Sequence, residues 1–239
     1  MNAVTDFHSH VLPDIDDGSR SVEESIAMLR REAEQGITHV VATPHFYPRY
    51  TAPERFLAER NRAETLLRQA MAGQPGLPRL SVGAEVYFFR GMSESDHLSR
   101  LTIGQNGCIL IEMPPAPWPE EIYRELVNIR QRQGLTPIIA HVDRYIAPFR
   151  THNIPQRLAE LPVLVQANAD FFLKNATAGM ALRMLKADRI QLLGSDCHDL
   201  VSRPPNLGAA LARIGQKLGE DVLERIREYE LQTLGADAP

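Results

Sequence analysis

The chain has 239 residues, enough for one large core, with 44% apolar and 23% charged residues, the balance of an ordinary soluble globular protein. A net charge of −4 with no block of like charges speaks against a nucleic-acid binder, though not against an anionic ligand, because bound cations reverse local sign. Two cysteines, Cys108 and Cys197, make neither a disulfide framework nor a thiolate zinc cluster; with no basic-then-apolar leader and no long apolar run, a cytoplasmic protein without membrane insertion is expected.

The first strand is expected over 4–10, VTDFHSH. Residues two apart on a strand share a face, so Asp6, His8 and His10 should point the same way. The loop DIDDG follows, with Gly18 allowing a tight return. Asp14, Asp16 and Asp17 can each bend back over the strand end; spacing leaves them open, and Asp17, at the loop's end, is favoured. Ser21 and Glu24 form a capping-box signature for a helix carrying Ile26, Leu29 and Ala33 and ending at Gly36. Strand two, 37–43, leads into ATPH with His45, and a helix over 53–72 starts from Pro53 and stops at Gly73.

Strand three, 80–86, closes on Glu85, and strand four, 107–113, on Glu112. A helix from Pro119 to Gly134 leads to strand five, 136–141, which closes on His141. Strand six, PVLVQAN over 162–168, brings no metal-ligand type. A helix over 174–187 precedes strand seven, 189–195, after which GSDCH places Asp196 and His198 two apart. The last helical pattern, 206–230, should break near Gly219.

Most of these strands are nearly continuous in apolar character, as suits burial on both faces of a parallel sheet. Their alternation with helices fits a doubly wound sheet or a barrel, and no GxGxxG or GxxxxGK[ST] follows the first strand. The expectation is an α/β fold, a distorted (β/α)7 TIM-like barrel, with residues 1–239 as one domain. Six of the seven strands then carry imidazole or carboxylate at the C-terminal end, where barrel enzymes place their chemistry. His39, His97 and His152 lie elsewhere and read as structural. One such residue would be an ordinary buried hydrogen-bonder. Five imidazoles and at least three carboxylates at one mouth need counter-charge, which divalent cations supply. All-nitrogen-and-oxygen donors suit Mn, Fe, Zn or Mg.

HSHVLPDIDDG, ATPH, GAEVYF, LIEMP, PIIAHVDRY and LGSDCHDLVSRPP, in this order, resemble the polymerase-and-histidinol-phosphatase (PHP) superfamily, and within it the manganese-dependent protein-tyrosine phosphatases of bacterial capsule and exopolysaccharide synthesis. The resemblance spans residues 4–205. It implies three divalent ions, most often manganese: His8, His10, Glu85 and Asp196 on the first; Glu85, Glu112 and His141 on the second; Asp17, His45 and His198 on the third. It also implies phosphate binding by Arg144 and Arg203. The implied partner is a phosphotyrosine-bearing protein, the C-terminal tail of a bacterial tyrosine kinase. Carboxylates at 17 and 112, where histidinol phosphatases often carry histidine, lean toward the tyrosine-phosphatase branch.

The chemistry agrees. Paired cations neutralise phosphoryl oxygens and acidify water, while arginine grips phosphate bidentately where lysine cannot. Asp199 is one candidate general acid, and Tyr47, Tyr50, Phe46, Tyr87 and Phe88 either flank a substrate ring or pack their loops. Four alternatives remain. Cys197 to Arg203 spells C-x5-R, the loop of cysteine phosphatases, but Asp196 and Asp199 flank it and no glycine opens it. A histidinol-phosphatase type of small-molecule phosphomonoesterase would use the same metals. An amidohydrolase would often need a carboxylated lysine at a strand end, and Lys174, Lys186 and Lys217 all fall in expected helices. A regulatory metal-binding module without catalysis would not need the arginines.

Overall fold

The computed structural model of the chain describes residues 4–146 and 153–235; His152 lies outside them. Among the described residues, nine strand segments occupy seven positions: β1 (Thr5–Ser9), β2 (His39–Ala42), β3 (His45–Phe46), β4 (Arg79–Val82), β5 (Glu85–Tyr87), β6 (Cys108–Glu112), β7 (Thr136–Ile139), β8 (Leu164–Asn168) and β9 (Leu192–Gly194). They run β1-β2-β4 and β3-β5-β6-β7-β8-β9, every pair parallel. Each of the second and third expected strands is cut in two. Pro44 has no N–H to give the ladder, and across the break Gly83 N donates to Ala42 O at 2.9 Å and Glu85 N to Pro44 O at 3.0 Å.

The curl closes because β9 returns beside β1. Asp196 N donates to His8 O at 2.7 Å and His10 N to Cys197 O at 2.9 Å. Gly194 makes this approach possible: a Cβ there would stand 2.6 Å from the Cβ of His8 and 2.9 Å from its backbone nitrogen. The result is a distorted (β/α)7 barrel.

Long helices cover the strands: α1 (Val22–Glu34), α2 (Pro53–Met71) and α3 (Glu120–Gln133), then, after the short α4 (Asp143–Ile146), α5 (Ile154–Leu158) and α6 (Ala169–Leu173), α7 (Asn175–Lys186), α8 (Leu207–Leu218) and α9 (Glu220–Leu234). The Ser21 hydroxyl caps α1 by accepting from Glu24 N at 3.2 Å. Gly219 divides α8 from α9, as the periodicity expects. The three short helices went unread because one turn is too short to show a period. Strand burial is nearly complete, β1 and β2 throughout, and a large apolar cluster joins strands to helices through Leu29, Val40, Leu67, Ile109, Leu126 and Ile139. Among the described residues no helix is long and apolar enough to cross a membrane.

Candidate metal centre

Strand register brings the ligand candidates together. His45 pairs with Glu85 across β3–β5, and Tyr87 with Glu112 across β5–β6. His141 and Asp196 lie just past β7 and β9, and both adopt positive φ, 31° and 55°. A left-handed conformation costs a non-glycine residue on the order of 1–3 kcal/mol, and here it occurs at two of the positions that face the mouth.

Asp6 does not join them. The β1–β2 register slips by one residue between Asp6 and Ser9, and such a bulge re-aims the side chains on either side of it. Asp6 instead accepts from His8 N at 3.1 Å and Ser195 N at 2.9 Å and hydrogen-bonds Glu32 of α1. The expectation that Asp6 shares a face with the histidines is corrected by that slip. Gly18 allows the tight return expected of it, with Ser19 N donating to His10 O at 3.0 Å. Its φ is ordinary, and what it supplies is space, since a Cβ would lie 2.3 Å from His10 O.

At the centre, His8 Nε2 lies 3.2 Å from His10 Nε2 and 3.2 Å from Glu85 Oε2, and His10 Nε2 is 3.5 Å from the same oxygen. Asp196 Oδ1 stands 3.5 Å from both imidazole nitrogens. Donors sharing one ion tetrahedrally at about 2.0–2.2 Å lie about 3.3–3.6 Å from each other. Beside them, Glu85 Oε1 is 2.6 Å from His141 Nε2, and His45, Glu85 and Glu112 form a second group of converging donors. A third holds His10, Asp17, His45 and His198, with Asp17 Oδ1 3.5 Å from His45 Nε2 and 3.4 Å from His198 Nε2.

Two observations show that this donor set fits cations. The buried atoms Glu85 Oε2, Glu112 Oε2 and His198 Nε2 have no hydrogen-bond partner, and buried polar atoms are rarely left so. In addition, four histidines are held by their other ring nitrogen. Nδ1 of His10 meets Asp16 Oδ2 at 2.7 Å, that of His8 meets Gln166 Oε1 at 3.3 Å, that of His141 meets Tyr145 Oη at 3.1 Å, and that of His198 meets the Asp196 carbonyl at 3.0 Å. Metal-binding histidines are commonly fixed in this way, so that Nε2 presents its lone pair inward.

Electrostatics point the same way. Burial would push Glu85 and Asp196 up, but His8 and His141 hold Glu85 well below the usual carboxylate range, and His8 and His10 do so for Asp196. Glu112 is pushed up by burial and then by the neighbouring charge of Glu85. Two carboxylates this close need positive charge between them.

Asp16, Gln166, Asn168 and Tyr145 are the supports that the sequence reading did not single out. Asp16 was one of three open alternatives in DIDDG. The structure gives it the His10 ring and the His45 backbone N–H (2.9 Å), while the exposed Asp17 takes the third donor group. Gln166 and Asn168 come from the strand without a ligand; Gln166 Oε1 accepts from His141 N at 2.6 Å, and Asn168 Nδ2 donates to Asp196 Oδ2 at 2.8 Å. Two amides at alternate positions of an otherwise apolar strand were the available signal.

Arg144 and Arg203 converge on Asp196: an Nη2 of Arg144 bonds Oδ2, and that of Arg203 lies 2.8 Å from Oδ1. Both border a cavity of about 390 Å³ that also touches Asn168, Lys174 and Ser195. On the other side, Tyr47 Oη is 3.2 Å from His45 Nδ1, and Tyr47, Tyr50 and Tyr87 wall a second cavity of about 440 Å³. Asp199 is half-buried, its carboxylate taken up by its own loop. Cys197 is fully buried, and burial, with Glu32 and Asp6 nearby, pushes its thiol well up. His39 bonds Ser81 Oγ at 2.8 Å, and His97 lies 3.5 Å from Glu54, both away from the mouth.

The sequence pattern of capsular polysaccharide synthesis proteins of the CpsB/CapC type matches residues 4–233. Tyrosine-protein phosphatase CpsB of Streptococcus pneumoniae is 29% identical over 229 residues, covering 90% of each chain. Tyrosine-protein phosphatase YwqE of Bacillus subtilis is 29% identical over 226 residues, covering 91% of this chain and 86% of the relative. A crystal structure from work on YwqE and CpsB, described there as unique metal-dependent tyrosine phosphatases, matches with a TM-score of 0.85 at 24% identity, over 99% of this chain and 96% of that one; it shows the same fold.

Proposed function

The chain belongs to the CpsB/CapC family of capsular polysaccharide synthesis, and from that footing we propose that it is a metal-dependent tyrosine-protein phosphatase. The observation that carries the reading is the inward-facing set of imidazole nitrogens and unpartnered carboxylate oxygens beside two arginines at a cavity. Three divalent cations, manganese by preference, are assigned to His8, His10, Glu85 and Asp196; to Glu85, Glu112 and His141; and to Asp17, His45 and His198, with Glu85 shared. Bound there, divalent cations supply charge neutralisation for phosphoryl oxygens and activation of the attacking water.

The remaining work falls to the chain. Arg144 and Arg203 bind non-bridging oxygens, and their planar donors fix the phosphoryl orientation. Gln166, Asn168, Asp16 and Tyr145 hold the ligands in place, so that little reorganisation is needed during reaction. The leaving phenolate, with a parent pKa of about 10, makes smaller demands on a proton donor than an alkoxide. Asp199 is not carried forward as that donor, since hydrogen bonds from its own loop hold its carboxyl far below the usual range.

An aryl ester is further supported by the wall of Tyr47, Tyr50 and Tyr87, in which the Tyr47 ring stacks on His45 of the second donor group. The physiological substrate we assign is a phosphotyrosine-bearing protein, the tail of a bacterial tyrosine kinase. The test compares a phosphotyrosyl peptide, a phosphoseryl peptide and histidinol phosphate with added manganese, using His141→Ala and EDTA as controls. We expect turnover of the phosphotyrosyl peptide alone, abolished by either control. Preference for histidinol phosphate would move the assignment to a small-molecule phosphatase, and an unaffected His141→Ala would refute the site.

A further inference from the structure

The turn Asp199–Arg203 projects from the rim with little to pack it. Val201 is 90% exposed and Leu200 41% exposed, so apolar burial does not hold its shape. Hydrogen bonds do. Asp199 Oδ1 accepts from Val201 N at 2.6 Å, Ser202 N at 2.5 Å and Arg203 N at 3.2 Å, and Oδ2 accepts from the Ser202 hydroxyl. The turn is tied down where Arg203 O accepts from His198 N at 2.9 Å and Asp199 N at 3.4 Å. Arg203, its last residue, is thereby aimed inward, with Nη2 2.8 Å from Asp196 Oδ1 at the edge of the 390 Å³ cavity.

We propose that Asp199 is a positioning residue: its carboxylate folds the rim turn that presents Arg203 to the substrate's phosphoryl group. The inference rests on the phosphatase reading and adds to it a division of labour within one loop. Arg144 follows β7 on the short helix α4, held by backbone bonds from its own turn. Arg203 has no such element, and a long cationic side chain on an unpacked turn loses entropy on ordering. A carboxylate that accepts three backbone N–H groups supplies the order locally. Asn at 199 keeps one oxygen able to accept those same N–H groups; Ala keeps none.

The experiment measures inorganic phosphate affinity by calorimetry and p-nitrophenyl phosphate kinetics on the manganese-loaded full chain. Asp199→Ala, Asp199→Asn, Arg203→Ala and the double variant Asp199→Ala/Arg203→Ala are compared, with melting temperature and bound metal checked throughout. Asp199→Ala should weaken phosphate binding and raise KM about tenfold, as loss of a charge-assisted hydrogen bond does, with a smaller fall in kcat. Asp199→Asn should stay within about threefold of wild type, because the amide oxygen still accepts. On the Arg203→Ala background Asp199→Ala should add nothing, since residues acting through one contact are not additive. The basic limb of the kcat–pH profile should be the same in all variants.

The inference is overturned if Asp199→Asn is as impaired as Asp199→Ala and loses the basic limb, which would make the residue a proton donor. It is equally overturned by additive losses in the double variant, or by normal phosphate binding in Asp199→Ala. If Asp199→Ala is isolated without metal, Asp199→Leu, which also keeps no acceptor, takes its place in the cycle. A wild-type protein that neither binds phosphate nor hydrolyses the aryl ester would sink both this inference and the phosphatase reading. A failure of the inference alone leaves wild type active.

Discussion

At the mouth of the barrel, Glu85 and Asp196 are 1% and 4% exposed and are held well below the usual carboxylate range. Away from the mouth, Glu32 and Glu230 are 0% and 3% exposed, yet their carboxyls are pushed up, that of Glu230 to about 8. Burial is the same and the outcome is opposite. Glu32 of α1 shares a buried pocket with Asp6, a second acid, and for Glu230 of α9 the desolvation outweighs its hydrogen bonds with Thr5, among them the backbone N–H at 3.2 Å, and the charge of Arg227. Such acids keep a proton. At the mouth, imidazoles and guanidiniums surround the acids, and His8 and His10 are themselves pushed up by Glu85, Asp196 and Asp16 despite their burial. Proton and cation therefore compete for the same nitrogens, and metal loading should weaken as pH falls. A buried carboxylate marks a functional centre when its neighbours keep it ionised.

The comparison breaks most visibly at Asp16. Asp16→Asn removes the charge that fixes His10, and we expect manganese affinity and kcat/KM to fall about 10–100-fold, read by metal titration and phosphotyrosyl-peptide kinetics. An unaltered enzyme would mean that the strand alone orients His10.

Glu230→Gln probes the other region. The folded pKa of Glu230, about 8, lies above its unfolded value, so its stabilisation is complete below the unfolded pKa and is lost as pH rises through about 8. Wild type should melt progressively lower between pH 5 and pH 9, at up to about 1.4 kcal/mol per pH unit from this group. The glutamine variant should match it at pH 5 and exceed it at pH 9 by several degrees in thermal unfolding. Parallel curves would mean that Glu230 ionises freely.

Cys197→Ser has the smallest expected effect. The thiol sits between the two regions, 3.8 Å from Glu32 Oε1, with its pKa pushed well up, whereas a nucleophilic cysteine needs a lowered one. Activity should stay within about twofold of wild type. An inactive variant together with an EDTA-resistant wild type would reinstate the cysteine chemistry.

Much of this was legible in the chain itself. His8, His10, His45, Glu85, Glu112, His141, Asp196 and His198 sit at strand ends, and a parallel strand–helix alternation places those ends on one rim. That inference needs only periodicity and local order. Asp6 was misread because a one-residue slip in pairing leaves no mark on the sequence. Asp16 and Asp17 could not be told apart, because a tight loop aims adjacent side chains in different directions.

The sequence by itself determined the layers, the parallel topology and the identity of the donors, since these follow from hydrophobic spacing and residue chemistry within single elements. The tertiary structure alone decided which ring nitrogen faces inward, which acids are ionised and which residues brace the ligands. Those properties depend on distances of a few ångströms between residues far apart in the chain, such as Gln166 against His8 and Asp196 against Asn168. No local pattern encodes such distances.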